Sequence, residues 1–123
     1  MTLRLLIVDD NAEFLEAARG LLEREGMTVV AVAGSSVEAL ERVDEHRPDV
    51  TLVDVDLGRE SGFDLARRLA DRSSPDPSPV VLISTYAEQD LRDLIDESPA
   101  VGFLSKSDLS GRAIHRLLRT PGR

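Results

Sequence analysis

The sequence predicts an α/β fold: a doubly wound, five-stranded parallel sheet in a (βα)5 order. Three observations predict it. Short apolar runs alternate along the chain with segments of helical period. The runs are nearly continuous rather than alternating with polar residues, as strands covered on both faces require. Right-handed crossovers between parallel strands then make winding in both directions the economical topology. At 123 residues the chain suits one compact domain with a workable core. That domain is expected over residues 1–120, with 121–123 as a terminal tail and no output domain after it.

The first strand is read over Leu3 to Val8, an apolar run bounded by Asp9 and Asp10. A helix follows over Asn11 to Glu25, with Phe14, Ala18, Leu21 and Leu22 on one face and Gly26 closing it. Met27 to Ala33 is rich in β-branched residues and forms the second strand, ending at Gly34. Ser35-x-x-Glu38 has the spacing of a capping box and opens a helix to about Glu45, with Val37, Leu40 and Val43 inward. Pro48 stops that helix, and Val50 to Val55 is the third strand. Ser61 to Arg72 reads as a helix with Phe63, Leu65, Ala66 and Leu69 among its apolar positions. Ser73 to Pro79 is the most linker-like stretch, yet too short to separate domains. Val80 to Ile83 is the fourth strand, Glu88 to Glu97 a helix, Val101 to Leu104 the fifth strand and Asp108 to Arg119 the last helix. Pro121-Gly122 ends the structure. There are no repeats or low-complexity tracts.

Aromatic residues are scarce, so the core must be aliphatic. The absence of cysteine excludes a disulfide framework and a thiolate metal site, and suits a reducing compartment. The N-terminus lacks a secretory pattern, and no apolar run approaches the length that spans a bilayer. A net charge of −8 opposes nonspecific binding to a phosphate backbone. A cytoplasmic protein is expected, with neither membrane nor direct nucleic acid among its partners. Of the 15 basic residues, only Lys106 is a lysine. Alone, this fits chance in an arginine-rich chain as well as it fits a need for a compact, flexible ammonium.

In open α/β sheets, sites form beyond the carboxyl ends of the strands, where the winding direction switches. There the sequence offers Asp9 and Asp10 after the first strand, Asp54 in the third, Ser84 after the fourth and Lys106 after the fifth. In the order 2-1-3-4-5 the first and third strands are neighbours, so three carboxylates converge. Unpaired and partly desolvated, they repel by something on the order of several kcal/mol, which a hard divalent cation resolves. All-oxygen donors favour Mg²⁺ over Zn²⁺, and an incomplete protein shell leaves room for water and phosphate oxygens. Lys106 and the Ser84 hydroxyl then face the same point from the other side. Together they make an anion site beside a metal, a place to stabilise a phosphoryl group.

With these residues in place, the chain resembles a response regulator receiver domain, the CheY-like phosphoacceptor module of two-component signal transduction. The resemblance covers essentially the whole chain. An acidic pair, an acceptor Asp, a Ser or Thr and a Lys after successive strands are weak singly and specific in order. The resemblance implies a flavodoxin-like, CheY-like fold and assigns roles by position. Asp54 becomes the phosphoacceptor, taking a phosphoryl group from a phosphohistidine on a sensor histidine kinase. Asp10 becomes a direct Mg²⁺ ligand, Asp9 a helper through water, and Asp56 the position whose backbone carbonyl completes the metal shell. The Asp56 carboxylate is then expected to face solvent. Ser84 would donate to the phosphoryl group, Lys106 would bridge its oxygens, and Phe103 matches the aromatic that turns inward on activation. The implied product is a phosphorelay protein, not an enzyme beyond Mg²⁺-dependent self-phosphorylation and slow autodephosphorylation. Its further partner is a downstream protein target or output domain.

Some positions depart from the family pattern. Gly58 stands where a proline is common, which predicts a looser loop, and Ser107 replaces a proline, so no cis-proline is expected. Thr85 offers a second hydroxyl beside Ser84, with spacing favouring Ser84. Tyr86 and Asp56 flank the attack site at positions that tune phosphoryl lifetime in the family. Read without the resemblance, Asp9-Asp10 is a helix N-cap pair. Ser84 is then a strand-end hydroxyl bonded to the backbone, Phe103 plain core, and His46 and His115 surface residues. The fourth helix is acidic (Glu88, Asp90, Asp93, Asp96, Glu97) and the terminal region basic (Arg112, Arg116, Arg119, Arg123). Solvated faces explain this by default, and a phosphorylation-dependent homodimer is the sharper alternative. Asp54-Val-Asp56 also resembles the Asp-x-Asp pair of haloacid-dehalogenase-like phosphatases, though that family usually carries it on the first strand of a longer chain. A receiver-like module that only binds a partner is the third possibility, against which the intact acidic pair, acceptor and lysine argue.

Overall fold

The computed structural model describes residues 2–71 and 77–119. In chain order the elements are β1 (Arg4–Val8), α1 (Ala12–Arg24), β2 (Thr28–Ala33), α2 (Ser36–His46), β3 (Val50–Asp54), β4 (Asp56–Leu57), β5 (Glu60–Ser61) and α3 (Gly62–Ala70). After them come β6 (Val80–Ser84), α4 (Arg92–Glu97), β7 (Gly102–Ser105) and α5 (Gly111–Arg119). Five strands pair in parallel in the order β2-β1-β3-β6-β7, while β4 and β5 form a separate antiparallel hairpin. The five-stranded sheet is therefore the expected 2-1-3-4-5 order.

All residues of β3 and β6 are buried, as a central strand covered twice requires. Successive residues face opposite ways and build two apolar layers. Leu5, Ile7, Leu52 and Ile83 pack with Ala18 and Leu22 of α1 and Ile114 of α5. Leu6, Val8, Val53 and Leu82 pack with Ala39 of α2, Leu65 and Leu69 of α3, and Ile95 of α4. Each fully buried leucine contributes roughly 1.5–3 kcal/mol relative to exposure. Helices thus cover both faces, and the winding reverses between β1 and β3, which opens a crevice beyond their carboxyl ends. Among the described residues, no helix is long and apolar enough to cross a membrane.

Several local expectations are corrected. Val37 is 63% exposed, while Ser36 and Ala39 are buried and Leu40 and Val43 partly so. Positions three apart drift by about 60° per step around a helix, so Val37, Leu40 and Val43 cannot all share one inward stripe. The capping box is half formed. Ser35 Oγ accepts from Glu38 N (3.2 Å), but Glu38 Oε1 accepts from Gly34 N (2.8 Å), one residue upstream of the expected partner. The fourth helix is broken into a 3-10 turn over Glu88–Leu91 and the short α4, with no side chain capping either start. Its repeated aspartates are poor helix formers and repel one another. The last helix starts at Gly111, because Lys106–Asp108 forms a 3-10 turn and Ser110 Oγ accepts from Ala113 N (3.0 Å). The linker-like stretch up to Asp76, and the tail at 121–123, lie outside the described residues.

Candidate functional site

Asp9 ends the buried run of β1. Its N–H stays in the sheet, donating to Ala33 O (3.0 Å), while its carboxylate is fully buried and accepts from Asn11 N at Oδ1 (2.9 Å). Asn11 is the N-cap of α1, its Oδ1 accepting from Phe14 N (3.1 Å). Neither aspartate therefore caps the helix, which corrects the simple reading of the pair.

Asp54 closes β3 opposite Ile83 of β6 and is 6% exposed. Its Oδ1 accepts from Asp56 N (3.0 Å), and its Oδ2 lies 3.0 Å from Lys106 Nζ. The same ammonium lies 2.6 Å from Asp9 Oδ2 and sits over the Phe14 ring, 4.2 Å from its centroid. One cation is thus shared by two buried carboxylates. Asp10 is exposed at the rim, and carboxylate oxygens of Asp9, Asp10 and Asp54 lie within 4.8 Å of one another. With every group ionised, three negative charges meet one positive charge.

Burial is the largest influence on Asp54 and pushes its carboxyl above the usual range; the Asp56 N–H and Lys106 oppose it, and the Asp9 charge adds to it. Burial alone would lower Lys106, but Asp9 and Asp54 together outweigh it and hold the ammonium above its usual value. The cluster therefore keeps a charged lysine between two of its carboxylates. Its all-oxygen donors suit a hard divalent cation such as Mg²⁺.

Asp56 begins the hairpin just past Asp54. Its side chain is exposed and Oδ1 accepts from Gly58 N (3.2 Å). Gly58 has φ +72, so the expected loose loop is instead a tight turn that glycine permits. A Cβ at Gly58 would lie 3.1 Å from Asp10 Oδ2, so the turn packs close against the rim carboxylate. Glu60 Oε1 accepts from Ser36 N (2.9 Å), tying the hairpin to the start of α2. Behind it, Gly62 begins α3 so close to β3 that a Cβ would strike the Asp54 carbonyl oxygen.

Ser84 is buried one residue past the partner of Asp54, opposite Ser105, whereas Thr85 is exposed. Ser84 Oγ accepts from Tyr86 N (2.9 Å), which leaves its hydroxyl hydrogen to donate elsewhere. Phe103 lies opposite Leu82, 8% exposed in the layer under α2 to α4. His115 is exposed on α5, and His46 ends α2, where its carbonyl accepts from Arg4 Nη2 (2.7 Å). Asp9, Asp10, Asp54 and Lys106 are thus brought together, with Asp56 and Ser84 on the adjoining strand ends and Phe103 within the core. Sequence reasoning missed Phe14, Glu60 and Gly62 as neighbours of the site. None of the three carried a sequence signal, because periodicity reports an element's own face and not what packs behind it.

Residues 5–118 match the family model of the response regulator receiver domain. Transcriptional regulatory protein PdtaR of Mycobacterium tuberculosis is 30% identical over 103 residues, 84% of this chain and 49% of PdtaR, so the chain spans about half the length of that relative. The polar-differentiation response regulator DivK of Brucella ovis is 29% identical over 106 residues, 86% of this chain and 85% of DivK. Among solved structures, the signal receiver domain of NarL from Mycobacterium tuberculosis has a TM-score of 0.82 at 25% identity, covering 97% of this chain and 98% of that one.

Proposed function

This chain belongs to the response regulator receiver domain family, and from that premise we propose that it accepts a phosphoryl group on Asp54 from a sensor histidine kinase. The observation that carries the proposal is the buried Asp54 carboxylate sharing the chain's only lysine with Asp9, beside a third carboxylate at the rim. In the transfer, an Asp54 carboxylate oxygen forms a bond to phosphorus as the bond from phosphorus to the donor imidazole nitrogen breaks, with the electron pair leaving on that nitrogen. Lys106 exchanges a carboxylate partner for a phosphoryl oxygen, and the Ser84 hydroxyl donates to another. Asp9, Asp10, Asp54 and the backbone carbonyl of Asp56 would hold Mg²⁺, which when bound offsets the carboxylate charge and that of the transferring group.

The new dianionic group at the end of β3 then alters the β6–α4–β7 region around Phe103, the output surface. Its reader is a downstream protein target or an output domain, and the receiver unit occupies residues 1–120 of a cytoplasmic protein. A homodimer formed on phosphorylation, through the acidic fourth helical segment and the basic α5, is a second output. Outside self-phosphorylation and slow autodephosphorylation, the domain turns over no substrate. The phosphatase alternative lacks support, because the Asp56 carboxylate is exposed and engaged in the hairpin turn.

Acetyl phosphate with Mg²⁺, read by intact mass, tests the proposal. The wild-type chain should gain one phosphate, and neither Asp54→Asn nor the wild type in excess chelator should. Phosphate retained on Asp54→Asn, or turnover of free phosphate esters, would count against it.

A further inference from the structure

Phe14 stands in the sequence as one apolar residue among several on α1, yet its ring is part of the site. Four contacts close a circuit. Asp9 Oδ1 accepts from Asn11 N, Asn11 Oδ1 accepts from Phe14 N, the Phe14 ring lies against Lys106 Nζ, and Lys106 Nζ returns to Asp9 Oδ2. An ammonium carries three N–H donors. Asp9 and Asp54 engage it on two sides, and the electron-rich ring face meets it on another. The lysine side chain is left only 16% exposed. Its long stem carries large rotamer freedom, which these partners remove before any substrate arrives. The anchor is itself fixed, because the N-cap bond from Asn11 sets the Phe14 backbone and the ring also packs against the layer under α1 and α5.

We propose that Phe14 is a positioning residue for phosphoryl transfer, its ring holding the Lys106 ammonium beside Asp54 so that the cation stands ready for the incoming group. The proposal rests on the reading of Asp54 as acceptor. Replacement by leucine keeps apolar packing and removes the ring face, whereas tyrosine keeps the ring.

The single lysine makes the test direct, since a chain labelled with ¹³C-lysine gives one set of side-chain signals. The ε-methylene protons of Lys106 should lie upfield of free lysine in the wild type and in Phe14→Tyr, and return towards the free position in Phe14→Leu. With acetyl phosphate and Mg²⁺, Phe14→Leu should lower the saturating phosphorylation rate by roughly two- to tenfold, with little change in the half-saturating concentration. Phe14→Tyr should restore the rate, and thermal unfolding of each variant confirms that the compared proteins are folded. An unmoved lysine signal in Phe14→Leu, or equal slowing by leucine and tyrosine, overturns the role of Phe14 while leaving the acceptor reading intact. A wild-type chain that takes up no phosphate overturns the acceptor reading and this one with it.

Discussion

Removing the charge of Asp54 and removing that of Lys106 leave different groups behind. In the metal-free protein, Asp54→Asn keeps a side-chain oxygen for the Asp56 N–H, leaves Asp9 to pair with Lys106, and takes one negative charge from the cluster. We expect it to stabilise the fold by about 1 kcal/mol, read from urea midpoints in chelator. Lys106→Met instead strips the cation from two buried carboxylates and should cost about 3 kcal/mol. The pH dependence follows from the same burial. Desolvation, the largest influence, places the folded Asp54 carboxyl above its usual 3.8. Its contribution to stability is therefore greatest below 3.8 and is lost as pH rises through the raised value. The advantage of Asp54→Asn should be absent in strong acid and grow towards neutral pH. An advantage that shrank with rising pH would contradict this account of the pocket.

Two glycine-to-alanine changes separate what an element needs from what its neighbour needs. At Gly20, within α1, a Cβ would meet only the end of the Arg24 side chain, at 3.2 Å. Gly20→Ala should therefore stabilise by roughly 0.5–1 kcal/mol through helix propensity. At Gly62 the same Cβ would strike the Asp54 carbonyl, so α3 or the end of β3 must move, at roughly 2–3 kcal/mol. Denaturant titration of both variants checks the opposite signs. The sequence could not distinguish these glycines, because helical period reports an element's own face and not the backbone behind it. The strands were legible for the opposite reason. The runs through Leu6, Leu52 and Leu82 are buried on both sides, and their apolar continuity records that directly. Where one face is solvated, the signal weakened. Val37 matched a three-residue spacing but turned outward, and the acidic fourth helix gave way to a 3-10 turn. The hairpin over Asp56–Ser61 was hidden as well, since a two-residue strand has no period to detect.

The site straddles the whole molecule, because its parts leave the sheet towards different layers. Asp9 and Asp10 lead into α1 on one face, the hairpin after Asp54 leads into α3 on the other, and Lys106 leads towards α5. Strand order made that meeting point legible in advance, whereas the sharing of Lys106 between Asp9 and Asp54 depends on side-chain conformation and was not. A cation held between these connections should resist their separation, so binding should stabilise the entire domain rather than one loop. By mass action, a free concentration 100-fold above the dissociation constant adds about 2.7 kcal/mol. For a domain of 123 residues, each kcal/mol raises the melting midpoint by roughly 4 °C. Mg²⁺ should produce such a rise in the wild type. Part of any rise would come from screening of the −8 net charge, and NaCl at matched ionic strength measures that part. Asp10→Asn is the decisive comparison, because Asp10 is exposed and outside the ion pairs of Lys106. It should leave the metal-free midpoint near that of the wild type while removing most of the rise specific to Mg²⁺. Glu88→Gln, on the acidic turn before α4, should leave that rise intact. A rise reproduced by NaCl, or one that survives in Asp10→Asn, would place the cation's effect on the diffuse charge of the surface instead of on the carboxylate cluster.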